Sequence, residues 1–432
     1  MTQKLESFFG IKKLGSTWRI EILAGLSTFL SLSYIFVVNP AILSEAGIDK
    51  SVVFFATVVV SSLATILMGL WANKPFSLAP GLEMNAYIAF IVVGTLGFIW
   101  QDALGAVFWS GVVMLIVNFL RIREQIIKAI PDKLKSGLAA SVGVFLMLIA
   151  LKVSGMLAYD GIQVKGIGLL TSPEAIVFYV GLIVAIILKY FKAKGTILIS
   201  IVVASVAAHL LGIGDVIEPV KVSKDMLDGT LAFNLGIIFN PKILSVILIL
   251  FIIDFYGSVA KFIGLTRNTT IVDKKGDMPK MKEALAVDGI ATVVGSGLGT
   301  TNVTSYVESA VGIGEGGRTG LTSVVSGILM LLFLLLTPLV NLVPVVATTG
   351  TLLFVGLTLF PTRKDLKTYS WVDIVAVTSM VLATIWTFGL DKAMLVGFGL
   401  FIVLQVLKGE WRKVNIYLLI STVLLLLSVF LA

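Results

Sequence analysis

Three groups of polar residues in an otherwise apolar chain could do chemistry. Phe76-Ser77-Leu78-Ala79-Pro80-Gly81-Leu82-Glu83-Met84-Asn85 sets a carboxylate and an amide beside a Pro-Gly break, which a helix cannot run through. Gly299-Thr300-Thr301-Asn302-Val303-Thr304-Ser305-Tyr306-Val307-Glu308-Ser309 is a second short polar stretch. In a third group, Asp254, Gly257, Ser258 and Lys261 are spaced i, i+3, i+4, i+7 and share one face of a helix. Carboxylates in such places accept hydrogen bonds from the N–H groups of a substrate or carry a proton. An acidic group at membrane depth is costly and by default marks function. The bland alternative is a carboxylate in a buried pair or at a helix end. Lys261 calls for Glu83, Glu308 or an anionic substrate; its bland alternative is a stem that snorkels to the interface near Arg267.

The remaining inventory is thin. There is no cysteine and one histidine, His209, so thiolate chemistry and a His-rich metal cluster are excluded and no H-E-x-x-H exists. An enzyme lacks its parts, and no metal is called for. Gly312-Ile-Gly-Glu-Gly-Gly317 satisfies G-x-G-x-x-G, but with no strand before it and no βαβ unit it is not a dinucleotide site. The sequons at Asn302 and Asn268 are chance matches. His209 reads as an interface residue, and Asp288 as a helix cap or a partner of a basic loop.

The elements that must position these residues are membrane helices. The chain has 432 residues, 57% hydrophobic and 13% charged, against about 25% charged in soluble domains; mean hydropathy is +1.03. Spans of roughly 20 apolar residues fall at 20–38, 51–72, 76–95, 98–120, 134–156, 173–190, 195–213, 242–264, 284–298, 300–314, 319–341, 344–360, 371–389 and 393–407. A fifteenth apolar stretch, 414–431, either crosses or lies along the surface. The third, ninth and tenth segments look short or interrupted. The net charge of +8 is spread over short loops rather than gathered in a nucleic-acid-binding domain. Most basic residues lie at the N-terminus and in the loops after even-numbered segments, such as Arg121 to Lys135 and Arg267 to Lys282. The positive-inside rule therefore places the N-terminus, an amphipathic stretch over 1–19 and not a cleavable signal, in the cytoplasm. The loop from Gly212 to Asn240 divides the chain near its middle and has the length for a short hairpin. Interrupted segments in corresponding positions of two halves point to a transporter's midplane site, with half-helix N-termini turned to the ligand.

These residues resemble the nucleobase–cation symporters of the xanthine/uracil permease superfamily, in the branch of azaguanine and hypoxanthine/guanine/adenine permeases. The likeness runs over nearly the whole chain. Its motifs are Glu21-Ile-Leu-Ala-Gly-Leu-Ser-Thr-Phe with Val38-Asn39-Pro40, Leu78-Ala-Pro-Gly81 with Asn85-Ala-Tyr87, Ala129-Ile-Pro131, Thr304-Ser-Tyr-Val-Glu-Ser309 and Gly317-Arg-Thr-Gly-Leu-Thr322. The resemblance implies an all-α fold of the uracil-permease type, with fourteen segments as two inverted sevens. It implies a core domain (20–120 and 242–341), a gate domain (134–213 and 344–407), and movement of core against gate. It implies import of a purine base across the plasma membrane, coupled to a proton and using no other cofactor. Partners are that small molecule and the lipid bilayer, with a homodimer left open.

The candidate substrate-binding set is Glu308, Glu83, Asn85, Ser258, Thr304, Lys261 and Ala79, with Glu308, Asp254 and Glu83 as candidates for the coupling proton. Glu308 matches the family's tenth-segment glutamate and Asn85 its third-segment asparagine. The family's eighth-segment Phe-Asp-Thr-x-Gly-Thr is here Tyr256-Gly257-Ser258-Val259-Ala260-Lys261, and its Gly-Met-Gly-Leu-Asn is Gly81-Leu-Glu83-Met-Asn85. A carboxylate is lost from one wall, while a carboxylate and a lysine are gained. Either Glu83 replaces the missing aspartate, kept ionised by Lys261, or the pocket serves a different solute, such as an oxidised purine or another small anion.

Overall fold

The computed structural model describes residues 2–120, 130–160, 163–191, 193, 196–213, 229–266, 269–273, 278–335, 343–387 and 390–431. Helices dominate them. Six are long and apolar enough to cross a bilayer: Trp18–Ser44, Lys50–Ala72, Trp100–Phe119, Asp132–Val153, Pro173–Tyr190 and Pro241–Val259. Shorter apolar helices accompany them, among them Trp371–Thr387 and Lys392–Leu407. The chain is a multi-pass membrane protein. Large apolar side chains such as Ile183, Ile186, Leu382, Ile385 and Leu407 are exposed, while Asn39, Asn85, Asp254, Asp288 and Asn302 are buried. That is the distribution lipid demands.

After a short N-terminal helix, α1 (Thr2–Phe9), the first span is two helices, α2 (Trp18–Leu32) and α3 (Ile35–Ser44), separated at Ser33-Tyr34, so it runs beyond the expected 20–38. Capping residues set the starts: Thr17 accepts from the Ile20 N–H ahead of α2, and Asp49 from Ser51 and Val52 ahead of α4 (Lys50–Leu67). After α4 comes an extended stretch, β1 (Leu78–Pro80), then α5 (Leu82–Ala86), which continues as a wider turn over Tyr87–Val93. Then come α6 (Trp100–Phe119), α7 (Asp132–Val153), α8 (Pro173–Tyr190), α9 (Thr196–Leu210), α10 (Pro241–Thr266) and α11 (Met281–Leu298). The tenth segment is β4 (Val303–Ser305) followed by α12 (Ser309–Gly314). The chain closes with α13 (Gly320–Leu331), α14 (Thr349–Thr358), α15 (Arg363–Leu366), α16 (Trp371–Thr387), α17 (Leu390–Leu407) and α18 (Ile416–Leu431).

The fold is mostly helical, as expected, and among the described residues it also contains two short antiparallel ladders. β1 and β4 pair antiparallel, Leu78 opposite Ser305, Ala79 opposite Thr304 and Pro80 opposite Val303. Backbone that leaves a helix inside a bilayer must find its partners within the protein, and each broken segment supplies the other's. A hairpin does exist outside the spans, but β2 (Leu157–Asp160) and β3 (Gln163–Ile167) form it between α7 and α8. The central loop, where a hairpin was expected, lies outside the described residues over 214–228. A short strand, β4, also precedes the glycine run at 312–317, contrary to expectation, yet its antiparallel two-stranded ladder is no βαβ unit. A Cβ at Gly312 would lie 2.2 Å from Thr28 Oγ1, so that glycine lets α12 approach α2.

The helices pack in two sets. In one, α13 lies against α2 and α4, α11 against α4 and α6, and α10 against α6. In the other, α7 lies against α14 and α16, and α8 against α9 and α14. Glycines allow the tightest crossings: a Cβ on Gly320 would sit 1.9 Å from the Gly69 carbonyl, and one on Gly143 would sit 2.4 Å from that of Gly356. Two distant motifs prove to be one clamp. The buried Glu21 carboxylate accepts from the backbone N–H groups of Arg318 (3.0 Å) and Thr319 (3.3 Å) and from the Thr322 hydroxyl (2.5 Å), at the start of α13. The apolar tail, α18, packs against both α10 and α17.

Candidate functional site

Polar side chains converge where the β1–β4 ladder crosses α10. The ladder is extended at both ends by backbone bonds, from Gly81 N–H to the Asn302 carbonyl and from Tyr306 N–H to the Ser77 carbonyl, both 2.9 Å. Side chains lock it further. Thr65 Oγ1 accepts from Leu78 N–H at 2.9 Å, Ser309 Oγ accepts from Ser77 N–H at 3.0 Å, and the Tyr306 hydroxyl donates to the Pro80 carbonyl. Glu83, in the first turn of α5, and Glu308, immediately before α12, are thereby held at fixed places.

Both glutamates line a cavity of about 350 Å³, which lies within the range of small-molecule sites. Tyr34, Gly257, Lys261 and Tyr306 line it with them, and α7 and α14 contribute Leu138, Val142 and Val355 from the other helix set. The Glu308 carboxylate accepts from the Tyr34 hydroxyl at 2.8 Å, and its second oxygen is buried without a partner. The first-turn N–H groups of α12 are already taken: Ser309 donates to the Tyr306 carbonyl, Ala310 to that of Val307 and Val311 to that of Glu308. This end of the site therefore offers a carboxylate rather than free backbone donors.

Lys261 turns inward. Its Nζ lies 3.6 Å from Glu83 Oε1 and 3.3 Å from Thr304 Oγ1, and 5.9 Å from the centre of the Tyr306 ring. The two side chains of the pair are 19% and 16% exposed, so water screens them less than a surface pair. A Cβ added at Gly257 would meet no atom within 4 Å. The space left by a missing eighth-segment side chain is thus open toward the cavity.

The remaining candidates form a layer behind this wall. Ser258 donates to Asp288 Oδ2 at 2.5 Å and lies 2.8 Å from Thr304 Oγ1. Ala79 is buried within the ladder opposite Thr304. Asn85 is buried, its oxygen accepting from Thr301 and its amide nitrogen unpartnered. None of these lines the cavity among the described residues. Asp254, also behind it, accepts from Asn302 at 3.1 Å and Thr292 at 3.4 Å. Asp288 neither caps a helix nor meets a basic loop. It sits in the middle of α11, fully buried, and accepts from Ser258 and Ser305. His209 is exposed near the end of α9. Sequence reasoning missed Tyr34 as a lining residue, because nothing in a run of apolar residues marks the helix break that aims it. Tyr306 stood inside a quoted motif without being singled out.

Residues 19–393 match the Permease family, Xan_ur_permease. The chain is 34% identical over 428 residues to adenine permease AdeP of Escherichia coli (strain K12), covering 98% of this chain and 96% of that protein. It is 32% identical to guanine/hypoxanthine permease PbuG of Bacillus subtilis (strain 168), covering 95% and 96%. Among solved structures it resembles the transmembrane domain of the cyanobacterial bicarbonate transporter BicA, with a TM-score of 0.59 and 14% identity over 94% of this chain and 97% of that one. The last likeness concerns the fold alone.

Proposed function

Because the chain belongs to the Permease family Xan_ur_permease, whose relatives are permeases and not enzymes, we propose that it imports a purine nucleobase by proton symport. The observation that carries this reading is the pair of glutamates held by the β1–β4 crossing at the wall of one largely apolar cavity. A flat heterocycle fits such a site: apolar side chains cover its faces, and its N–H edges meet carboxylates. The unpartnered oxygen of Glu308 accepts one N–H. Glu83 supplies the acceptor that Gly257 no longer provides, and Lys261, 3.6 Å from it, offers a donor beside it. An anionic solute is the weaker reading, since Glu83 offsets the charge that would attract it.

In this proposal the protein has fourteen segments in two inverted sevens, with the N-terminus in the cytoplasm and the plasma membrane as its location. The set holding the ladder is the core and the set with α7 and α14 the gate. The substrate rides on the core as it moves against the gate. Lys135, Leu265 and Leu359 line the cavity at helix ends that adjoin basic loops, which supports reading this conformation as the inward-facing one.

Uptake of radiolabelled hypoxanthine, adenine and guanine by cells lacking their own purine permeases tests the reading, with and without a protonophore. Saturable uptake of at least one base, abolished by the protonophore and by Glu308→Gln with the protein still in the membrane, is the expected result. No uptake, or normal uptake by Glu308→Gln, refutes it.

A further inference from the structure

Among the described residues, two buried carboxylates keep an oxygen without a hydrogen-bond partner, Glu308 and Asp254, and they differ in what can reach it. Glu308 lines the cavity, so a bound base can supply the donor. Asp254 does not line it, although its neighbour Ile253 and Gly257 one turn later do. Asp254 is 2% exposed and lies behind the cavity wall, out of reach of a base bound in the cavity.

Its surroundings are one donor short. Asp254 Oδ2 accepts from Asn302 Nδ2 and Thr292 Oγ1, and Asp254 Oδ1 accepts from nothing. Asn302 Nδ2 also donates to Ser110 Oγ at 2.9 Å, while Asn302 Oδ1, like Asp254 Oδ1, is buried without a partner. An acid and an amide therefore meet with one bond made and both remaining oxygens orphaned. Ionised, Asp254 is a buried charge with no cation in contact, which is strongly unfavourable. A single proton on Asp254 removes that charge and creates the missing O–H donor. Asn302 Oδ1, unpartnered on the residue that already bonds the other carboxylate oxygen, is an acceptor for it.

We propose that Asp254 carries the coupling proton, with Asn302 as its amide partner, which rests on the proton-symport reading above. The carboxylate takes up a proton from the external side and releases it to water on the cytoplasmic side; no bond other than O–H changes. Asn302 links this event to the substrate. Its carbonyl accepts the Gly81 N–H at 2.9 Å, where α5 begins and Glu83 follows. The residue that senses the proton thus also fixes one wall of the binding site. The charged groups that act on Asp254 are Lys261 on its own helix, Glu83 on α5 and Asp288 on α11. From α6 and β4 come the neutral Ser110 and Thr304, while Lys135 on α7, Glu308, Tyr34 and Tyr306 line the cavity.

The test separates coupling from binding, using Asp254→Asn, which stands in for the protonated acid. The variant is expected to bind and exchange labelled against unlabelled base, yet to lose uphill accumulation and the pH dependence of binding. Uphill accumulation by the variant, or a binding pH profile matching the wild type, overturns the proposal. If Asp254→Asn does not reach the membrane, Asn302→Thr is measured instead. A displaced pH profile of substrate binding to the purified protein supports the proposal, and a superimposable one overturns it. Wild-type accumulation that a protonophore leaves intact sinks the symport reading itself. Protonophore-sensitive wild type with an accumulating Asp254→Asn sinks only the assignment to Asp254.

Discussion

At the scale of single residues, the site is a rearrangement of charge. Lys261 and Glu83 face each other at 3.6 Å across the wall, and Gly257 leaves room between them and the cavity. Removing one member of a shielded pair leaves the other uncompensated. Glu83→Gly is therefore expected to lower uptake at least ~10-fold, or ~1.4 kcal/mol in binding. The double variant Glu83→Gly with Gly257→Asp should recover part of it, because a side chain at 257 enters open space and returns a carboxylate near Lys261. Initial uptake rates against substrate concentration check both. Full activity of Glu83→Gly alone would show that the carboxylate has not moved across the site.

At the scale of elements, the ladder depends on helices that can come close enough to hold it. The turn that continues α4, Met68–Ala72, meets α13 backbone to backbone at Gly69 and Gly320, and both helices hold the ladder, α4 through Thr65 on Leu78 and α13 through the bond at 2.9 Å from Ser77, just before β1, to Ser326. Gly320→Ala forces a Cβ against a carbonyl that cannot step aside, an overpacking that costs ~1–3 kcal/mol. Gly314→Ala, whose Cβ would meet nothing within 4 Å, should be near neutral. Thermal unfolding in detergent is expected to show a lower midpoint for the first variant and an unchanged one for the second. Much at this scale was legible. The Pro80-Gly81 break and the polar run from Thr300 announced two interrupted segments. Their pairing with each other was not legible, because a strand of three residues carries no alternating pattern long enough to read, and its partner lies more than two hundred residues away.

For the whole molecule, the cavity lies between the two helix sets, with one wall from each. Movement of one set against the other would expose it alternately. The chain has no cysteine, so Leu359→Cys on the α14 side adds a single thiol to the cavity. A membrane-impermeant maleimide should label it in everted vesicles and not in right-side-out ones, and saturating substrate should slow the reaction. Labelling from the external side alone would reverse the assignment of the open face. α18 packs against α10 of one set and against α17, which itself lies against α16 and α7 of the other, so the tail that the sequence left unplaced spans the boundary across which that movement would occur.

What the sequence determined by itself was the solvent and the chemistry at hand. Its apolar spans and scarce charges required a membrane, and its motifs resembled a family of permeases. The absence of cysteine and the single histidine limited polar chemistry to carboxylates, amides, hydroxyls and a lysine. Only the tertiary structure decided which of these meet. Lys261 could have snorkelled or turned inward, and Asp288 could have capped a helix or been buried within one; helical spacing fits either outcome. The choice is made by neighbours distant in sequence, Glu83 and Thr304 for the lysine, Ser258 and Ser305 for the aspartate. Buried polar groups must find partners wherever the fold brings them, and those partners follow from the packing of separate elements rather than from any local pattern.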